Sequence, residues 1–344
     1  MLFVLLNHTG DMVWNHVTNG GLSDPLGELF FNFRFGVEIF FTLSGFLISY
    51  LYDYRGNTRG FLLSRFFRLW PLWAVFGGVW LYTHAFVIRD LSAAQASINY
   101  LANLFFVGWA VPGPFNWFIG GQWSIQIEIF CYLLFLLVRG RSNTAVLALA
   151  TCLNFLGIFS ATFLRAAVPA LADAIGKLSV WSGFTFFAVG IILARVYCSE
   201  NRMMFLHGLL TTTKSRTSLM SFLISTLVAP AFFGNWLGSL GFVVGGIVLA
   251  VAINFSGVAG KMLRWFGRHS YFVFFSHFFV LSFIESQFVS VKNLTIPAAL
   301  VWVLVIASVT ALICCATAVV SMRFIEKPAI RFGHQLAAKG QVSG

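Results

Sequence analysis

The amino-acid sequence predicts an all-α fold, a bundle of about ten transmembrane helices. Hydrophobic residues make up 59% of the chain and charged residues 10%, whereas soluble domains carry roughly 25% charged residues. Apolar segments recur along all 344 residues, separated by short connections that hold Arg and Lys. We therefore expect one membrane domain over residues 1–333, followed by a cytoplasmic tail over residues 334–344.

Nine apolar segments have the composition of membrane spans, each of which needs about 20 residues. They are 34–51, 66–88, 122–138, 144–164, 179–197, 217–233, 236–254, 270–288 and 297–320. With a tenth span at the N-terminus and both termini in the cytoplasm, all but five of the 22 basic residues face the cytoplasm. The five others are Arg34, Arg89, Arg165, Lys177 and Lys292. Because cytoplasmic loops are enriched in Lys and Arg, this asymmetry supports the span count and the orientation.

Two apolar segments are irregular. The first, residues 1–17, is interrupted by His8 and Asp11 and is short for a span. Its helix is either half-length or continues into residues that would precede Met1, and we favour the second interpretation. The segment 101–120 is broken by two prolines and a glycine, so we expect it to be re-entrant or interfacial.

The net charge of +11 and the five cysteines argue against two kinds of partner. Basic residues are spread over short loops instead of being gathered on one soluble face, which argues against nucleic acid. The cysteines lie mostly in apolar segments and lack the spacing of metal ligands, so no metal site is expected. The partner that this composition implies is the lipid bilayer.

Four ionisable residues fall inside predicted spans, namely His8, Glu38, Glu128 and His277. Such groups are costly in a bilayer and usually serve a function, although each could simply hydrogen-bond to a neighbouring helix. Burial favours the neutral form of His8, which could then act as a general base. Glu38 could instead pair with Arg34 one turn earlier, and His277 could bond to a serine of another helix.

Two further groups of polar residues lie at span ends. Arg65 and Arg68 stand at the cytoplasmic start of their span, where they either set the topology or bind a phosphorylated donor through their guanidinium groups. The second group surrounds Glu128 and is typical of a cavity wall more than of a lipid-facing surface. Its members are Gln122, Trp123, Ser124, Gln126 and Tyr132.

Five motifs occur in order along almost the whole chain. They are G-V-E-I-F-F-T-L-S-G-F-L-I at 36–48, S-R-F-F-R-L-W-P at 64–71, W-S-I-Q-I-E-I-F-C-Y at 123–132, G-R-H-S-Y-F-V-F-F-S-H at 267–277 and R-F-I-E-K-P-A-I-R at 323–331. Together they resemble the integral-membrane acyltransferase family 3, multi-span O-acyltransferases that decorate bacterial surface glycans. Phe274 stands where that family usually has Tyr. The Arg that the family typically carries eleven residues before its first histidine would precede Met1 here.

The resemblance implies a reaction and roles for several residues. An acyl group, most often acetyl, would move from cytoplasmic acyl-CoA to a hydroxyl of a cell-surface or lipid-linked glycan. Arg65 and Arg68 would hold the phosphates of coenzyme A, His8 would be the general base, and Glu38 or Glu128 would orient the imidazole or bind the sugar. Further substrate contacts would come from Trp123, Ser124, Tyr132 and His277. Acyl-CoA is then a substrate, no bound cofactor is expected, and the location would be the bacterial inner membrane.

Two other classes of function are compatible with buried ionisable groups. A transporter or flippase of a lipid-linked sugar also places such groups near the middle of the membrane, but the two halves of this chain lack a matching pair of Gly/Pro-broken spans. A scaffold or receptor would leave costly intramembrane carboxylates with nothing to bind. Consumption of acyl-CoA separates the acyltransferase from both alternatives.

Overall fold

The computed structural model describes residues 2–15, 25–33, 36–55, 58–108, 123–159, 167, 180–198, 257–288 and 294–342. Regular structure within these ranges is helical, which confirms the predicted all-α class. The helices are α1 (Leu2–Trp14), α2 (Pro25–Asn32), α3 (Gly36–Arg55), α4 (Thr58–Tyr82), α5 (Ala93–Leu104), α6 (Trp123–Val138), α7 (Asn143–Phe159), α8 (Val180–Tyr197), α9 (Gly257–Phe288), α10 (Ile296–Ser321) and α11 (Lys327–Val342). Single π-helical turns follow α4 at Thr83–Ile88 and α10 at Met322–Glu326.

Two helical segments of the described ranges have the length and apolar composition needed to cross a membrane, Arg65–Ile88 and Ile296–Leu336. Shorter apolar helices cover Gly36–Tyr52, Trp123–Val138 and Gly183–Arg195. The predicted spans at 217–233 and 236–254 lie outside the described residues. A bundle of ten spans therefore stays a prediction.

One side of α10 is strongly apolar and exposed. Val301, Leu304 and Leu312 are 60%, 63% and 70% exposed, and contiguous apolar surface of this kind is rare on soluble monomers. Hydrocarbon can surround such a helix without leaving backbone hydrogen-bonding groups unpaired, because the backbone N–H and C=O groups of a helix bond to one another. The exposed apolar side of α10 thus indicates a membrane protein.

The segment predicted to be re-entrant begins as a regular helix. Helix α5 starts at a capping box in which the Ser92 hydroxyl accepts a hydrogen bond from the Gln95 backbone and the Gln95 side chain bonds back to the Ser92 backbone. This arrangement satisfies two backbone donors that a helix start otherwise leaves open. The helix ends at Leu104, residues 105–108 follow it, and the part of the predicted segment from 109 to 120 lies outside the described residues.

The chain divides into two compact units. Unit 1 comprises residues 1–47 and 189–317, and unit 2 comprises residues 48–188 and 318–344. The core of unit 1 joins α1, α2, α9 and α10, with side chains that are less than 9% exposed. These side chains are Leu5, Met12, Val13, Trp14, Phe30, Leu281, Ala299, Val303, Ile306 and Ala307.

Close approach fixes α1 against α2 in unit 1. A Cβ atom at Gly10 would lie 2.5 Å from the Cβ of Phe30, so the helices can meet here only because glycine has no side chain. The Asn7 side-chain amide also donates to the Phe30 carbonyl at 3.1 Å. Since Asn7 and Gly10 flank His8 on α1, this contact holds the histidine at a defined place.

Unit 2 is organised around α4. Helix α11 packs along α4, where the Phe67 and Phe332 rings meet edge to face at 5.3 Å and a Cβ at Gly333 would lie 2.8 Å from the Phe67 ring. On α5, the Asn103 carbonyl accepts a hydrogen bond from Trp73 Nε1 at 2.7 Å. Residues 334–342 of the predicted cytoplasmic tail continue α11 as helix.

Candidate functional site

Two histidines from distant motifs meet in unit 1. His8 lies on α1 and is half-buried, whereas His277 lies on α9 and is fully buried. Their ring centroids are 5.6 Å apart. The Phe278 ring contacts both, with its centroid 4.5 Å from His8 and 4.1 Å from His277. We call this arrangement the histidine pair.

Hydrogen bonding orients the His277 ring. Its Nδ1 lies 3.1 Å from the Val273 carbonyl oxygen, and because a carbonyl only accepts, the proton of the neutral ring is assigned to Nδ1. Nε2 is then an acceptor, and it has no hydrogen-bond partner in the described part of the chain. A fixed, buried imidazole with an open lone pair can accept a hydrogen bond or a proton from a hydroxyl.

His277 lies farther from the start of its helix than the apolar pattern indicates. The predicted span covers 270–288, whereas α9 begins at Gly257. His277 therefore lies in the middle of a long helix, with helical backbone on both sides to fix its position. The alternative of a bond between His277 and a serine of another helix finds no support among the described residues.

Glu38 lies in the first turn of α3. A carboxylate at this end of a helix is favoured by the helix dipole. The Glu38 carbonyl accepts a hydrogen bond from the Thr42 hydroxyl at 2.9 Å, and α8 approaches this turn closely enough that a Cβ at Gly190 would collide with the Thr42 carbonyl. The predicted partner Arg34 lies outside the described residues, and no hydrogen bond or ion pair joins Glu38 to His8 in the described ranges.

Glu128 and Tyr132 form a buried pair on α6 in unit 2. Both are less than 5% exposed, and the Tyr132 hydroxyl donates to Glu128 Oε1. Their spacing of one helical turn makes this contact local. Of the other residues predicted around Glu128, Ser124 is buried and Trp123 is half-buried. The structure thus brings Glu128 and Tyr132 together and buries Ser124 on the same helix, while the substrate-binding role of this group stays a prediction.

A buried amide network on the opposite side of α6 was not predicted. The Gln126 side-chain amide donates to Asn103 Oδ1 at 3.0 Å, and the Asn103 amide donates to the Asn99 carbonyl at 2.8 Å. Together with the Trp73 bond, this network joins α4, α5 and α6. Polar residues inside apolar sequence, such as Asn99, Asn103 and Gln126, could have indicated a buried network. Their hydrogen bonds join separate helices, however, and the sequence does not show which helices pack together.

Arg65 and Arg68 lie on α4 and are half-buried. Arg68 lies within electrostatic range of Glu326, a fully buried carboxylate on the π-helical turn after α10. Ser321 donates a hydrogen bond to Glu326 Oε1 at 3.3 Å. We call Arg68, Ser321 and Glu326 the arginine–carboxylate site. Sequence reasoning singled out the arginines but not Glu326, although the R-F-I-E-K-P motif contained it.

The candidate residues therefore divide between the two units. The histidine pair and Glu38 belong to unit 1, and Arg65, Arg68 and the α6 cluster belong to unit 2. The family model described as an acyltransferase domain, acyltransferase family 3, matches residues 1–320. The match includes every predicted site residue and ends before Glu326. No curated protein and no solved structure matches the chain.

Proposed function

Because this chain belongs to acyltransferase family 3, we propose that it is a membrane enzyme that moves an acyl group, acetyl in the first instance, from acyl-CoA to a glycan hydroxyl. The acceptor is a cell-surface or lipid-linked glycan, and the protein lies in the bacterial inner membrane with both termini in the cytoplasm. The orientation is supported by the loop distribution of Arg and Lys. The observation that carries the chemistry is the histidine pair.

In the proposed reaction, the acceptor hydroxyl gives its proton to the His8 imidazole while its oxygen attacks the thioester carbonyl carbon. A carbon–oxygen bond forms, the carbon–sulfur bond breaks, and coenzyme A leaves as a thiol once the proton returns to sulfur. His8 suits this step because it lies among apolar and aromatic side chains that favour a neutral ring. His277 accepts a hydrogen bond from the acceptor hydroxyl through its open Nε2.

The donor is held by arginine. Arg65 and Arg68 carry planar guanidinium groups that bind phosphate oxygens in pairs. Three basic side chains that are exposed lie on the turn and helix packed against α4, and their positive charge favours approach of a phosphorylated donor. They are Arg323, Lys327 and Arg331. The α6 cluster around Glu128 then binds the sugar acceptor, for which carboxylate, hydroxyl and aromatic groups are suitable partners.

The test is transfer of label. Membranes containing the full chain are incubated with acetyl-CoA labelled in the acetyl group, and both label in glycan and free coenzyme A are measured. We expect the two to rise together, one thiol per acetyl group transferred. Movement of a lipid-linked sugar across the bilayer without thiol release would contradict the proposal and favour a transporter. Parallel incubations with propionyl-CoA and succinyl-CoA define the acyl group.

A further inference from the structure

We infer that the exposed side of residues 323–332 binds the anionic headgroups of lipids in the cytoplasmic leaflet. The inference shares with the proposed function only the cytoplasmic position of the C-terminus, because it assigns a lipid partner to a surface of unit 2 and concerns neither substrate. The surface consists of three basic and three apolar residues, which we call the basic–apolar strip. They are Arg323, Phe324, Lys327, Pro328, Arg331 and Phe332.

The strip repeats one dipeptide pattern every four residues. A basic residue is followed by Phe or Pro at 323–324, 327–328 and 331–332. Side chains four residues apart lie on the same side of a helix, so the pattern places a basic row beside an apolar row. The backbone stays helical through this segment, since Ser321 and Lys327 on either side of the π-helical turn have right-handed helical dihedrals and α11 continues to Val342.

Both rows are exposed in the folded chain. Arg323, Lys327 and Arg331 are exposed, and Phe324 and Phe332 are 68% and 52% exposed. The Arg323 guanidinium carbon lies 5.6 Å from the centroid of the Phe324 ring, so the two rows touch. An aromatic ring and a guanidinium side by side suit the boundary between acyl chains and headgroups, where one part of the surface is apolar and the other is polar.

Packing against α4 fixes the strip on unit 2. Gly333 is buried against the Phe67 ring, and the edge of Phe332 meets the same ring, while half of the Phe332 surface stays exposed. The side of α11 at Gly333 therefore belongs to the interior of unit 2. The strip lies on the remaining side, which faces away from that contact.

The exposed charge of this segment is positive. Between Ser321 and Val342 the only acidic residue is Glu326, and its side chain is 0% exposed. A helix with basic residues beside exposed apolar ones, without exposed acidic residues, is typical of binding at a membrane surface. An anionic lipid offers a partner to each row, its phosphate to the basic row and its acyl chain to the apolar row.

The position of the strip along the chain agrees with a headgroup contact. Arg323 is the first charged residue after Lys292, and Val319 and Val320, one turn earlier, are apolar and exposed. The helix therefore leaves hydrocarbon near Arg323. From Arg323 to Arg331 the basic row extends over about 12 Å of helix, a length that the headgroup layer and the reach of Lys and Arg side chains cover together.

A free phosphorylated molecule fits this surface less well than a lipid does. It would contact the basic row but leave Phe324 and Phe332 in water, where their exposed apolar area is unfavourable. The donor can be attracted by the field of the basic side chains at a distance, whereas the inference concerns the anion that contacts them. The strip thus favours an anionic lipid as its occupant.

The experiment measures binding of short-chain phosphatidylglycerol to the full chain in neutral detergent, with phosphatidylcholine of the same chain length as the comparison. We expect phosphatidylglycerol to bind about tenfold or more tightly. Each of Arg323→Gln, Lys327→Gln and Arg331→Gln should raise its Kd about fivefold, and the triple variant about 10²-fold, as expected from the contribution of a basic residue at an anionic surface. High salt should weaken binding to the wild type but have little effect on the triple variant.

A matched control removes three exposed basic residues elsewhere. Arg141, Lys261 and Arg268 are exposed, and their combined replacement by Gln should change the Kd less than about twofold. Phe324→Ser tests the apolar row. It should weaken both lipids by the same factor, about threefold, because it removes contact with acyl chains and leaves the headgroup preference unchanged.

Hydrogen exchange in nanodiscs locates the site. Backbone amides of α11 should exchange about threefold more slowly when roughly one third of the phosphatidylcholine is replaced by phosphatidylglycerol, since a bound lipid opposes local opening. The triple variant should show no such difference. If the triple variant does not fold, the three single variants test the inference through the same Kd.

Three results would overturn the inference. Equal affinity for the two lipids, or a triple variant that binds phosphatidylglycerol as the control does, would remove the lipid site. Displacement of phosphatidylglycerol by a similar concentration of coenzyme A would assign the basic row to the donor instead. A dimer that forms without lipid and dissociates in Phe324→Ser would assign the strip to a second copy of the chain. Lipid preference without acetyl transfer would contradict only the proposed reaction.

Discussion

The histidine pair and the arginine–carboxylate site are both buried polar groups in an apolar protein, but they differ in charge. The histidine pair consists of two rings among Phe274, Phe278 and the apolar core of unit 1, without an acidic partner in the described ranges. In the arginine–carboxylate site of unit 2, a guanidinium and a buried carboxylate of opposite charge lie within electrostatic range of each other. A neutral imidazole can take up a proton, whereas a held guanidinium can bind an anion. Under the proposed function, the chemical step belongs to the first region and donor binding to the second.

The largest expected effect separates the two regions through kcat. His8→Ala should lower kcat for acetyl transfer about 10³-fold, since a positioned general base contributes typically 10²–10⁴, while the KM for acetyl-CoA stays within about twofold. His84→Ala is the control, because it removes another imidazole, paired with Asp90 at 3.0 Å on the surface of unit 2. Unchanged acylation in His8→Ala membranes would remove His8 from the mechanism and leave His277 as the candidate base.

The complementary change should act on KM. Arg68→Gln should raise the KM for acetyl-CoA about tenfold or more, since it removes a charge-assisted contact to phosphate, and kcat should change little. The KM of the wild type should also increase with salt more steeply than the KM of the variant. Salt screens ionic contacts, and the wild type has one more such contact to the donor phosphates than the variant has. A drop in kcat with normal KM would break the proposed division between the regions.

A third prediction concerns the support of the histidine pair. Gly10→Ala should destabilise the protein by about 1–3 kcal/mol, as expected for overpacking, because the added Cβ meets Phe30 at 2.5 Å. Gly78→Ala on α4 is the matched control, since its Cβ would meet nothing within 4 Å and alanine favours the helix. Thermal unfolding in detergent measures both. Equal melting temperatures would show that α1 can move away from α2.

The smallest expected effect concerns the support of Arg68. Trp73→Phe removes the donor to the Asn103 carbonyl and should lower stability by about 1 kcal/mol. Because Trp73 follows Arg68 on α4, the KM for acetyl-CoA should rise slightly and kcat should remain unchanged. Trp302→Phe, at a position 39% exposed on α10, should have no measurable effect in the same assays. A change in kcat for Trp73→Phe would link α4 to the chemical step.

Local features of the site could be predicted from the sequence. Glu128 and Tyr132 are one turn apart on α6, so the helical period alone brings them together. The polarity around Glu128 predicted a cavity wall, which stays a prediction, and Ser124 and Glu128 are both buried. The helical class followed from composition, because only helices and closed barrels satisfy every backbone group in hydrocarbon.

Distant contacts could not be predicted in this way. The sequence allowed His277 a purely structural bond to a serine of another helix, since nothing in its own motif indicates that α1 would lie beside it. Glu326 was read only as part of a terminal motif, because a π-helical turn cannot be distinguished from an α-helix by its apolar pattern. The predicted Arg34–Glu38 pair and two of the ten spans fall outside the described residues and stay predictions.

The amino-acid sequence alone was sufficient to predict an all-helical membrane protein with the motifs of acyltransferase family 3. It also identified the candidate site residues, because ionisable groups inside a bilayer carry a high desolvation free energy. Helical period and hydropathy are local properties, so they can be read from neighbouring residues. That His8 lies beside His277, and that Glu326 is buried next to Ser321, follows only from the folded chain. These contacts depend on which helices pack together, and packing is set by side chains far apart in the chain, such as Gly10 with Phe30 and Phe67 with Phe332.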